Sequence, residues 1–78
     1  DNVYLYDCED GSKLRARYDN SRSYSVAHVS HADQTEVALI QVVSGSGVKY
    51  SNGDLTLHTK AGDALLIDGE TVHRCHSE

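Results

Sequence analysis

Lys13-Leu14-Arg15-Ala16-Arg17-Tyr18 alternates charged and less polar residues one by one. Leu14, Ala16 and Tyr18 share one face; Lys13, Arg15 and Arg17 share the other. A period of two marks a strand with one dry face and one wet face, because successive side chains leave a pleated backbone on opposite sides. The pattern spreads outward from there. Residues 24–29, Tyr-Ser-Val-Ala-His-Val, keep nearly the same period. Leu55, Leu57 and Thr59 lie opposite Thr56, His58 and Lys60. Residues 35–43 are apolar on both faces, which predicts a strand whose outside is covered, in the middle of a sheet or in a barrel wall. Ala64-Leu65-Leu66-Ile67 is one more short run. No window carries the i, i+3, i+4, i+7 spacing of an amphipathic helix.

Turn chemistry punctuates these runs. Asp10-Gly11, Asn52-Gly53 and Asp68-Gly69 are hairpin dipeptides, since Gly, Asn and Asp tolerate positive φ. Between them lie residues 20–23, 31–34, 44–47 and 61–63, all rich in small and polar types. Seven turn signals therefore separate eight segments. Short strands at this spacing predict an all-β meander, most simply closed as a barrel or half-barrel. At 78 residues the expectation is one domain, residues 1–78, with no room for a Rossmann fold or TIM barrel. Pro, Met, Trp and Phe are absent. The core must come from Val, Leu, Ile and Tyr, a set that suits a pleated surface.

Composition excludes several function classes. A formal charge of -5 is poor for nucleic acid or an anionic membrane, whose phosphates call for Lys and Arg. It suits a basic partner. No stretch approaches the roughly 20 apolar residues that span a bilayer, and no signal peptide is visible, so membrane insertion of this segment is not expected. Ser and His are too plentiful for a chance pairing to signal a nucleophilic site. No glycine-rich phosphate loop opens a helix. The expectation is a non-enzyme without a cofactor. Cys8 and Cys75, near opposite ends, fit a staple made in an oxidising compartment. Two buried free thiols are the other reading.

His28, His31, Glu36 and His73 form a candidate metal-ligand set. With Val42-Val43-Ser44-Gly45-Ser46-Gly47 and Lys60-Ala61-Gly62-Asp63-Ala64-Leu65-Leu66-Ile67, their order resembles the cupin pattern. A cupin-like metal-binding barrel is thus the alternative. The spacing departs at Glu36, and Asp68 stands where cupins carry Pro. His73 and His76 around Cys75 lack the four ligands of a structural zinc site.

A second resemblance covers nearly the whole chain. Tyr6-Asp7-Cys8-Glu9-Asp10-Gly11, Leu14 and Tyr18-Asp19-Asn20 look like the first part of the MliC/PliC inhibitors of c-type lysozyme. Ser46-Gly47-Val48-Lys49-Tyr50 is similar to that family's Ser-Gly-x-x-Tyr signature. Asn52-Gly53 follows, then Thr59-Lys60 of the second signature, and Cys75 falls at the family's last cysteine. The resemblance implies an eight-stranded antiparallel barrel closed by a Cys8–Cys75 disulfide between the first and last strands. It also implies c-type lysozyme as partner, with Ser46 and Lys60 reaching its catalytic carboxylates. Gly47, Tyr50 and Thr59 would belong to the same surface, with Tyr50 packed beneath the loop. The implied compartment is the periplasm, in soluble form, because Cys8 is taken by the disulfide and is not left for a lipid anchor.

The chain departs from the second signature. Leu55 takes a Tyr position, and Ala61 stands where Gly follows the Lys. Ala resists positive φ, so the turn presenting Lys60 is expected to differ. Leu57 and His58 occupy positions that are aromatic in relatives. His58 reads as a solvent-facing strand residue.

Overall fold

The alternating stretch becomes the second of eight strands in the computed structural model, which describes residues 2–78. The strands are β1 (Asn2–Cys8), β2 (Lys13–Asp19), β3 (Val26–His31), β4 (Val37–Val42), β5 (Val48–Ser51), β6 (Leu55–Lys60), β7 (Asp63–Asp68) and β8 (Thr71–Ser77). Each pairs antiparallel with its neighbour in sequence, and β8 returns to β1. The sheet is a closed up-and-down barrel. Cupins are jelly rolls built from Greek keys, so this connectivity removes the cupin-like alternative.

Closure is made at the β1–β8 seam. Its register pairs Tyr6 with Ser77, Asp7 with His76 and Cys8 with Cys75. The last pair is a disulfide. It links residues 67 apart in sequence, and a loop of that size is worth about 4 kcal/mol in the chain-entropy account.

The interior follows the period of two. Leu14 and Ala16 of β2, Ala27 and Val29 of β3, Leu39, Leu57, and Ala64 with Leu66 of β7 are almost wholly buried. Tyr6, Tyr50 and both cysteines complete the cluster, with Tyr18, Val37, Val48 and Leu55 packed against it. Small Ala residues beside Leu let a narrow barrel fill without a void. On the outer face, Lys13 meets Asp7 and Glu78, while Arg15 and Arg17 share Glu36. These ion pairs are largely exposed and contribute little to stability.

Two expectations need correction. The outside of the fourth strand is not covered. Only Leu39 of β4 is buried, while Ile40 is 50% exposed and Val43, past the strand end, is 97% exposed. Sequence cannot show that a closed eight-strand sheet has a single dry side. The third strand also starts at Val26 instead of residue 24. Asp19 Oδ1 accepts bonds from the Ser21 amide and hydroxyl, at 2.9 and 2.6 Å. That Asx turn lengthens the loop and leaves Tyr24 exposed.

One mouth of the barrel is closed by tyrosines. Tyr4 meets Tyr18 edge to face at 5.4 Å, Tyr18 meets Tyr50 at 5.5 Å, and the Tyr6 and Tyr18 hydroxyls are 3.0 Å apart. Burial, then the bond with Tyr6, drives the Tyr18 pKa far above its ordinary value; burial also raises that of Tyr50. The folded chain therefore holds tyrosine protons that the unfolded chain releases near pH 10. Stability from this layer is complete below that pH and is lost as pH rises above it. Denaturant titrations between pH 8 and pH 11 should show a midpoint falling steeply from about pH 10. Tyr18→Phe should flatten the fall.

Candidate functional site

In an up-and-down barrel alternate turns gather at the same mouth. The turns after β2, β4 and β6 therefore share the tyrosine end. Ser46 and Gly47 stand in the turn between β4 and β5. Thr59 and Lys60 end β6, and Tyr50 lies in β5. Val48 pairs with Thr59 and Tyr50 with Leu57, so the two turns stand side by side. All five residues from the two signatures thus meet on one end of the molecule. A depression of about 480 Å³ lies here, lined by Tyr18, Val48, Tyr50, Thr59 and Lys60 among others.

Gly47 makes the close approach possible. Its φ is 68°, and a Cβ there would lie 2.4 Å from the Thr59 carbonyl oxygen and 3.1 Å from the Lys60 Cβ. Only a residue without a side chain fits against the backbone of β6 in this conformation. Ser46, next to it, is exposed. Its carbonyl oxygen accepts two bonds, from His58 Nε2–H at 2.8 Å and from the Ser44 hydroxyl at 2.7 Å. His58 is therefore more than a solvent-facing strand residue: it ties the Ser46 turn to β6. Its outward position beside Lys49 gave the strand face, but the reach to a backbone carbonyl depends on the fold-back of the neighbouring turn.

Lys60 pairs with Asp63 across the two-residue turn Ala61-Gly62. Ala61 has φ 51° and Gly62 φ 87°. Ala61 thus takes the positive φ that its side chain resists. Positive φ at both central residues is the primed geometry that matches strand twist, and Ala61 adopts it at the cost of Cβ strain. The Lys60 side chain makes no ion pair among the described residues.

The residues proposed for metal do not assemble as one set. His28 sits on β3 between Arg17 and Ala38 in register, and Glu36 bonds Arg15 and Arg17. His31 and His73 do come together, with ring centroids 4.4 Å apart, at the mouth opposite Lys60. Asp10 joins them instead of Glu36 and His28. Burial, then the neighbouring His73, lowers the His31 pKa and so favours the neutral ring. Asp10 escaped the sequence reading because Asp-Gly is already explained as a turn.

Two substitutions test this geometry. Ala61→Gly should relieve the turn and stabilise the chain by about 1 kcal/mol, read as a higher denaturation midpoint. Gly47→Ala should destabilise it by about 1–3 kcal/mol, because backbone must move away from the new Cβ.

Comparison with known proteins agrees with this architecture. Residues 6–74 match the family described as membrane-bound lysozyme-inhibitor of c-type lysozyme. A curated relative, the membrane-bound lysozyme inhibitor of C-type lysozyme from Pseudomonas aeruginosa, is 36% identical over 61 residues, covering 78% of this chain and 48% of the relative. The chain thus spans about half the length of that relative. Among solved structures, the crystal structure of Pseudomonas aeruginosa MliC in complex with hen egg white lysozyme superposes with a TM-score of 0.85 at 31% identity, covering 99% of this chain and 81% of that one. With its disulfide-closed barrel, its paired signature turns and these matches, the chain belongs to the family of membrane-bound inhibitors of c-type lysozyme.

Proposed function

We propose that this chain inhibits a c-type lysozyme stoichiometrically, as a non-enzyme, by inserting the Ser46 and Lys60 turns into the enzyme's active-site cleft. The observation that carries the reading is the exposed Lys60 side chain, without an ion pair among the described residues, at the end of β6 and braced against the Ser46 turn by Gly47. C-type lysozymes work with two carboxylates, one protonated donor and one ionised partner across the sugar bond. An ammonium in a partly dry cleft satisfies the ionised carboxylate. A hydroxyl donates to one carboxylate and accepts from the other. Together they occupy the place of the scissile sugar. The Pseudomonas aeruginosa relative, seen in complex with hen egg white lysozyme, supports this choice of partner.

Gly47, Thr59 and Tyr50 are supporting residues in this reading. Gly47 and Thr59 hold the turns together, and Tyr50 underlies them. His58 positions the Ser46 carbonyl and hence the hydroxyl. The disulfide fits an oxidising compartment, and protection of peptidoglycan fits the periplasm.

The test is inhibition of a c-type lysozyme on bacterial cell walls, titrated with the purified chain. Lys60→Ala should weaken binding by about 2 kcal/mol or more, roughly 30-fold in Kd. Ser46→Ala should cost about 1.5 kcal/mol, close to tenfold. Full inhibition by the double variant would remove the site assignment. Absence of inhibition by the wild-type chain at high micromolar concentration would remove the function.

A further inference from the structure

The barrel mouth opposite Lys60 holds a second constellation that inhibition does not use. His31 ends β3 and His73 lies on β8. Both fall on the inward-facing positions of their strands, two residues beyond Val29 and two before Cys75. Asp10 reaches them from the turn between β1 and β2. One donor atom from each residue lies within 4.8 Å of the other two. The His73 Nδ1 and Asp10 Oδ2 are already 3.6 Å apart.

We propose that Asp10, His31 and His73 form a binding site for one zinc-type divalent transition metal. Two imidazoles and a carboxylate match the borderline softness of zinc, and three protein ligands leave a fourth position for water. Tetrahedral bonds of about 2.0–2.2 Å put ligand atoms roughly 3.3–3.5 Å apart. A contraction of up to about 1.5 Å closes the site, and Asp10, on an exposed turn, can move toward the two rings.

The hydrogen bonds around His31 suit a ligand. The Ser12 hydroxyl has one proton, and Asp10 Oδ1, which can only accept, takes it at 2.6 Å. Ser12 Oγ therefore accepts from His31 Nε2, 2.8 Å away. The proton of the neutral ring is fixed on Nε2, and Nδ1 keeps its lone pair. Metal-bound histidines are commonly held by such a bond from the other ring nitrogen.

The placement gives the metal a structural meaning. Asp10 follows Cys8 by two residues and His73 precedes Cys75 by two. A bound ion would therefore clamp the β1–β8 seam beside the disulfide and tie it to β3. The site stands whether or not the chain inhibits lysozyme, since it shares no residue with the Ser46 and Lys60 turns.

The experiment is a titration of the intact, disulfide-bonded chain with Zn2+ alone, followed by calorimetry and by thermal unfolding. One zinc per chain should bind, and Tm should rise with zinc concentration, because the ion binds only the folded state tightly. Asp10→Asn, His31→Gln and His73→Gln should each weaken binding by about tenfold or more, and Ser12→Ala by about tenfold. His28→Ala and His76→Ala should bind as the wild type does. Asp10→Asn changes only an exposed turn, so its result stands even if a histidine variant folds poorly. No saturable binding at millimolar zinc, or unchanged affinity in Asp10→Asn and in the His31→Gln/His73→Gln double variant, would overturn the site.

Discussion

The β1–β8 seam is the constraint on which the molecule depends. An eight-stranded sheet in so short a chain has two edges until its ends meet, and every inward side chain needs that meeting to be dry. The seam has three residue pairs, against six for β1–β2, β2–β3, β6–β7 and β7–β8. A short ladder between strands at opposite ends of the sequence carries the full loop-closure penalty of the fold. The Cys8–Cys75 bond removes much of that penalty from the unfolded side. It also adds two apolar side chains to a core that has neither Phe nor Trp.

Once the sheet is closed, its two mouths are free to differ. Inward positions near one end are tyrosines, whose rings stack over the Leu and Ala interior and support the turns above. Inward positions near the other end are histidines, and a solvated carboxylate faces them. The same period of two that buries Leu14 and Leu57 in the middle thus presents chemistry at both ends. The body of the barrel can stay rigid while the turns carry the specific contacts.

The body was legible in the sequence because its signals are local. Alternation at residues 13–18, hairpin dipeptides, and turns at regular spacing each needed only neighbours in the chain. The signature residues were legible through family likeness, and their nearness follows from β5–β6 pairing. What stayed hidden depends on long-range placement. The His58 bond to the Ser46 carbonyl spans 12 residues, and Asp10, His31 and His73 come from three separate elements. Ile40 and Val42 read as buried because apolarity alone does not tell an inner from an outer face. Ala61 shows a further limit: propensity argues against positive φ, but the hairpin between Lys60 and Asp63 uses it.

Charge works differently at long and short range on the proposed reading. The chain carries -5 overall, and its field at a distance draws a basic protein. Close up, the positive side chains of β2 are answered by Asp7, Glu36 and Glu78, so they add little to any contact. Lys60 makes no ion pair among the described residues, and it stands exposed at the end of β6, next to the two-residue turn. On that reading an acidic surface steers the approach, and the Lys60 ammonium is the charge offered to the acidic cleft at the end of it. A more basic barrel would lose the first effect, and a Lys60 paired to a neighbour would lose the second.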